Sequence, residues 1–404
     1  MKSWSQPEVP RLPDHGAAPR VFDTSSASIV ETRPIALAGL YVCGITPYDA
    51  THIGHAATYV AYDTLIRLWL DAGYDVTYVQ NVTDIDDPLL ERATAIGVDW
   101  RELAAEQVEL FRGDMVALGV IPPDHYVAVT DMVTPVSKAV SRLLESGTAY
   151  RLGDDVYFDI AAAAASSPWK LGQESRLDRE TMLELAAERG GDPEREGKRD
   201  PLDPMLWMGA RPGEPSWPSE LGDGRPGWHI ECTVIAQEFL DLPMTVAGGG
   251  RDLKFPHHEF TAAHTAALTG RDHAHAHIHA GLVAYRGEKM SKSLGNLVFV
   301  SALTADGVDP RAIRLAILAH HYRSDWEWTD EVLSLAEARL ATWVGWAETR
   351  GVVSGLLPEL RDAIHDDLDT GAALAAVDAR AASGLAPTAL DLDAILALLG
   401  VALR

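Results

Sequence analysis

Between Gly39 and Val79 the hydrophobic periodicity switches twice, and this switch constrains the fold more than any other feature. Gly39 to Cys43 is a short apolar run of strand formers, followed from Gly44 to Thr51 by the turn chemistry of Gly, Thr, Pro and Asp. From Ile53 to Ala72 apolar residues (Ala57, Val60, Ala61, Ile66, Leu70) return at helical spacing. The pattern stops at Gly73, and Val76 to Val79 read as a second strand. A strand–helix–strand unit closes through a right-handed crossover, so its strands run parallel. Ligands of such sheets gather at the carboxyl ends of the strands, which places the 44–55 loop and the segment Asn81 to Asp87 at one site.

Of 404 residues, 47% are hydrophobic and 23% charged, a balance that supports two or three packed domains rather than disorder. The pattern divides into an N-terminal segment with the first half of a Rossmann core (1–125), a connective insertion (126–200), the second half of the core (201–296) and a region ending in a helical bundle (297–404). The insertion carries two helical patterns, a short strand at Tyr157 to Asp159 and a Gly- and charge-rich stretch from Glu188 to Lys198. From Pro310 onward the chain is alanine- and leucine-rich at helical spacing. With only Cys43 and Cys232 there is no disulfide framework, and a reducing compartment is the simpler setting. Met1 to Pro13 is polar and proline-rich, and no run of about 18 apolar residues occurs, so a cytoplasmic protein without membrane contact is expected.

Two short motifs carry chemistry. His52-Ile53-Gly54-His55 stands where the loop enters the helix, so backbone N–H groups and the helix dipole favour phosphate, and the imidazoles can donate to it. Far downstream, Lys289-Met290-Ser291-Lys292-Ser293 sets two lysines three apart, able to follow charge from a triphosphate onto departing pyrophosphate. Either string alone could be a solvated loop or a capped helix. Together and in this order they resemble the signature pair of the class I aminoacyl-tRNA synthetases. Longer strings narrow the likeness to the cysteinyl-tRNA synthetases: Cys43 to Asp49, Asn81 to Asp87, Pro226 to Cys232 and Gly248 to His258. The expected fold is therefore α/β: a class I synthetase-like Rossmann (HUP-type) catalytic core with an insertion and a C-terminal α-helical bundle.

That resemblance implies ATP with Mg²⁺ as substrate, catalytic and ATP-binding roles for His52, His55, Lys289 and Lys292, and one zinc ion on Cys43, Cys232 and His257. Two thiolates and an imidazole suit a borderline-soft cation and leave a tetrahedral position open, which a substrate thiolate could complete. Such a bond separates cysteine from serine better than a hydrophobic pocket does. Without the resemblance, two widely spaced cysteines read more readily as buried apolar thiols than as metal ligands. One departure stands out: the synthetases resembled carry a Glu four residues after this His, whereas this chain has Thr261. By the same likeness the cysteinyl adenylate is bound by Cys43, Gly44, Ile45, Thr46, Thr58, Asn81, Val82, Thr83, Trp228, Gly250, Arg251, Asp252 and Val283. Gly248 to Gly250 would allow close backbone approach to a ligand, or simply a tight turn. Trp228, an indole beside Gly227, serves equally as core or binding wall. The alternating His273, His275, His277 and His279 read as a half-exposed strand or loop rather than a second metal tract.

The acceptor is argued from what differs. Net charge is −25, which opposes broad contact with a polyanion. After Ser293 only 111 residues remain, and 331–404 hold five arginines, no lysine and eleven acidic residues, the wrong balance for reading tRNA. Glu188-Arg189-Gly190-Gly191-Asp192-Pro193, Pro47 to His55 and the N-terminal Ser3-Trp4-Ser5 resemble the cysteine:glucosaminyl-inositol ligases of mycothiol biosynthesis. This second resemblance spans nearly the whole chain. It implies a monomeric enzyme that joins L-cysteine to the amine of glucosaminyl-inositol with ATP, and no nucleic-acid partner. The alternatives are a truncated cysteinyl-tRNA synthetase and a non-catalytic paralogue.

Overall fold

The computed structural model describes residues 1–34, 37–48, 51–290, 296–349, 351 and 355–404. Its centre is a five-stranded, all-parallel sheet of β1 (Leu37–Val42), β2 (Asp75–Val82), β3 (His125–Ala128), β4 (Met244–Gly250) and β5 (Ala274–Ala280), in the order β5-β4-β1-β2-β3. Parallel strands need cover on both faces, and the sequence supplies it: Leu40, Val42, Val79, Val82, Val246 and Ile278 are all essentially inaccessible. The expected strand–helix–strand unit is β1, α1 (Ile53–Asp71) and β2, with Leu37 to Val42 paired in parallel with Asp75 to Gln80.

Helix α1 is buried almost all round, because the sheet covers one side and the C-terminal helices the other. Its polar residues Asp63 and Arg67 are buried for that reason, and they are satisfied internally. Arg67 Nε lies 2.7 Å from Asp63, and Arg314 on α4 (Pro310–Leu318) ion-pairs with the same carboxylate. The guanidinium groups also donate to carbonyls of Leu396 and Ala397 at 2.9 and 3.2 Å, and of Leu399 at 2.6 Å, in the terminal α5 (Ala389–Leu399). One buried carboxylate and two arginines thus tie core to bundle.

Helices α2 (Trp228–Phe239) and α3 (His257–Thr269) pack against each other and cover the opposite face, beside Tyr41, Val79 and Ala247. Between β3 and β4 the chain builds a four-stranded antiparallel sheet from Ala149–Leu152, Asp155–Phe158, Met205–Gly209 and Gly224–Pro226. Two of its strands come from beyond residue 200. Glu259 of α3 anchors this unit: its buried carboxylate accepts from Trp169 Nε1 (3.0 Å), Gly172 N (3.0 Å) and Ser175 N (2.8 Å). Among the described residues no helix is long and apolar enough to cross a membrane.

Candidate active site

The strand order reverses direction between β1 and β4, and a cleft of about 370 Å³ opens at the carboxyl ends on either side of that switch point. Much of its wall is made where strands end: Cys43 to Thr46 after β1, Thr83 after β2, Gly250 at the end of β4 with Asp252 beyond it, and Gly281 to Val283 after β5.

The first turn after β1 is fixed by Asn81. Its Oδ1 accepts from Gly44 N at 2.8 Å and from Tyr41 Oη at 3.1 Å, and its Nδ2 donates to Thr83 Oγ1 at 3.1 Å. Backbones approach so closely here that a Cβ on Gly44 would sit 1.6 Å from the Asn81 carbonyl oxygen, so only glycine fits. At the opposite wall His52 caps α1, accepting from Gly54 N at 3.1 Å, and its ring stacks on that of His55 with centroids 3.9 Å apart. The amide-rich start of α1 and two imidazoles therefore face the cleft together.

At the cleft floor Cys43, Cys232 and His257 bring their ligand atoms within 4.8 Å of one another, all three buried. Burial and the adjacent Cys232 sulfur push the Cys43 thiol up. Burial acts the same way on Cys232, but the Cys43 and His257 contacts outweigh it and bring that thiol down, so one thiolate is favoured. His257 Nδ1 lies 3.0 Å from His229 Nδ1, whereas its buried Nε2 has no hydrogen-bond partner among the described residues. Burial, with His257 and His264 nearby, keeps His229 neutral. The buried Nε2 of His257, two buried sulfurs and the His229 ring held against the far nitrogen of His257 fit a zinc site. Thr261 spends its hydroxyl on the His257 carbonyl at 2.7 Å, one helical turn back.

Behind the floor, Cys43 Sγ meets His258 Nε2 at 3.3 Å, His258 Nδ1 meets His279 Nε2 at 2.8 Å, and His279 Nδ1 meets Thr24 Oγ1 at 2.7 Å. His273, His277 and His279 are buried and only His275 is exposed, so the half-exposed strand expected there is instead an interior one. The hairpin Arg20–Asp23/Ser28–Glu31 closes over β5: Asp23 accepts from His277 N at 2.8 Å.

Of the expected substrate-binding residues, Cys43, Gly44, Ile45, Thr46, Thr58, Asn81, Thr83, Trp228, Gly250, Asp252 and Val283 line the cleft, with His52 and His55. Two do not. Val82 ends β2 with its side chain in the apolar core, and Arg251 turns outward to pair with Asp325. Within the glycine run Gly250 lines the cleft, whereas a Cβ on Gly248 would strike the Tyr62 ring at 2.3 Å, so the close approach at Gly248 is to protein. Lys289 lies in a two-residue strand, Glu288–Lys289, beside the cleft-lining Met290; Lys292 falls outside the described residues. Tyr48, Gly54, Tyr59, Leu253, Gly281, Leu282 and Leu297 also line the cleft and were not singled out. Gly54 stood within a quoted motif, and Tyr59 lies one helical turn after His55; Gly281, Leu282 and Leu297 carry no local signal.

Residues 30–338 match the family of class I (C) tRNA synthetase catalytic domains. Solved structures agree on the fold. Mycobacterium tuberculosis methionyl-tRNA synthetase with methionyl-adenylate superposes at TM-score 0.59 and 18% identity, covering 91% of this chain and 82% of that one. The Agrobacterium radiobacter K84 agnB2 LeuRS-tRNA-LeuAMS complex gives TM-score 0.62 at 12% identity, covering 91% and 84%. Fold and cleft thus define a class I synthetase-type catalytic domain. Among curated proteins, the L-cysteine:1D-myo-inositol 2-amino-2-deoxy-alpha-D-glucopyranoside ligase of Clavibacter michiganensis is 59% identical over all of this chain and 99% of its own length. The ligase of the same name from Thermobispora bispora is 56% identical over the full length of both. The chain belongs to this ligase family.

Proposed function

We propose that this protein joins L-cysteine to the amine of glucosaminyl-inositol at the expense of ATP, by way of a cysteinyl adenylate, releasing AMP and pyrophosphate. One observation carries the reading: the Cys43, Cys232 and His257 trio forms the floor of the same cleft whose wall is the His52-capped start of α1. A thiol-selective floor and a phosphate-binding helix start belong to one pocket only if a thiol compound is to be brought to a nucleotide.

Cys43, Cys232 and His257 would hold zinc, which supplies a Lewis-acid partner for a substrate sulfur and so excludes serine. Trp228, its ring centroid 4.7 Å from that of His257, walls the amino-acid side; Thr46, Thr83 and Asp252 offer polar contacts for its ammonium and carboxylate. The N–H groups at the start of α1, with His52 and His55, take the phosphates. The cysteine carboxylate oxygen then forms a bond to the α-phosphorus as the bond to pyrophosphate breaks, and Lys289 and Lys292 follow the departing charge. In the second step the neutral amine attacks the adenylate carbonyl carbon, the carbon–oxygen bond to AMP breaks, and the amine gives up a proton.

AMP release from ATP and cysteine tests the acceptor. Stimulation by added glucosaminyl-inositol and none by total tRNA is expected; stimulation by tRNA alone would make the chain a truncated cysteinyl-tRNA synthetase. The eleven acids and five arginines of 331–404 favour the former.

A further inference from the structure

We infer that Arg189 is a positioning residue for the cysteine-activation cleft, acting through the turn that joins β4 to α3. The helix Arg179–Glu188 of the antiparallel unit ends at Arg189, and the chain then turns sharply. Gly190 has φ +81°, and a Cβ on Gly191 would lie 2.6 Å from the Ala186 carbonyl oxygen, so both glycines are needed to aim the arginine. The half-buried guanidinium crosses to the core and donates through one nitrogen to the carbonyls of Asp252 and Phe255, each at 2.5 Å.

Those two carbonyls bracket the loop that matters. Asp252 lines the cleft, and Phe255, fully buried, leads through Pro256 into α3, whose first residue is His257. Arg189 supplies, from a distant part of the chain, charge-assisted donors to two backbone carbonyls of this junction and so ties one end of it to the other. It does not itself line the cleft. Its consequence is that the carboxylate wall and the imidazole floor keep a fixed separation, which is what a pre-organised binding site requires. The string Glu188 to Pro193 thereby has a physical task in the reaction.

The inference rests on the reading that this cleft activates cysteine, so the test begins with cysteine-dependent ATP–pyrophosphate exchange by the unaltered enzyme. No exchange there sinks the functional reading itself. Given exchange, Arg189→Ala is expected to raise KM for cysteine about tenfold, with kcat within about threefold and zinc content unchanged. Guanidinium chloride at millimolar concentration should restore part of the loss, because the missing group is a planar cation. A wild-type KM in the folded Arg189→Ala enzyme overturns the inference, as does a parallel fall of kcat, zinc content and Tm with no guanidinium rescue. Should Arg189→Ala fail to fold, Arg189→Met decides: it keeps most of the apolar stem and removes every donor, so a raised KM in the folded enzyme supports the positioning role and an unchanged one overturns it.

Discussion

Cys232 and Lys292 should fail in different ways. Cys232→Ala removes a sulfur from the buried trio, so the purified enzyme is expected to lose zinc and cysteine activation together; stoichiometric zinc by metal analysis would contradict the assignment. Lys292→Ala should keep its zinc and lose exchange rate. At the same scale, His277 Nδ1 lies 2.8 Å from Glu174. Burial disfavours the imidazolium, but the Glu174 carboxylate more than offsets this and holds the ring above its usual value, with Asp23 and Glu259 adding to the effect. A folded value raised above the unfolded one, about 6.5, contributes stability that is full below it and lost as pH rises through the folded value. Tm is therefore expected to fall as pH rises above about 6.5, and less so in Glu174→Gln; equal pH slopes in the two proteins would refute the pairing. Individual residues were legible where a motif named them, as with His52, Asn81 and Cys232. Val82 and Arg251 were not, because strand parity sends one side chain into the core and an ion pair draws the other to solvent. Both are fixed by partners far away in sequence.

Elements follow the same division between local and distant causes. The unit β1–α1–β2 was readable because its periodicity, its stop at Gly73 and its parallel pairing all arise within forty residues or so. The antiparallel sheet was readable only at Tyr157, since Asp155–Phe158 pairs with Met205–Gly209 across a stretch whose composition looks like loop. The buried histidines of β5 were misjudged for a related reason: the hairpin that covers them comes from residues 20–31. Glu259 makes a test at this scale. Three donors in the 169–175 segment converge on its carboxylate, and Glu259→Ala leaves them buried and unpaired, a cost of about 3 kcal/mol or more. Proteolysis within 160–180 should accelerate while β-sheet circular dichroism is retained; wild-type resistance would show the segment to be held elsewhere.

For the molecule as a whole, the decisive contact is the Asp63, Arg67 and Arg314 group under α1. Burial raises the Asp63 carboxyl, and the two arginines outweigh it and bring it below its ordinary value. Its contribution is present at neutral pH and lost only as pH falls through that lowered value. Asp63→Ala leaves two guanidinium groups buried without a counter-charge, so a loss of about 3–5 kcal/mol is expected, read as a lower denaturation midpoint. A change below about 1 kcal/mol would mean that the backbone carbonyls alone suffice. The same group orders events in time. Arg67 and Arg314 find acceptors on Leu396, Ala397 and Leu399, more than three hundred residues after α1 begins. During synthesis the first core helix carries its Asp63–Arg67 pair from the start, yet Arg67 waits for its carbonyl acceptors on Leu396 and Ala397 until nearly four hundred residues have been made.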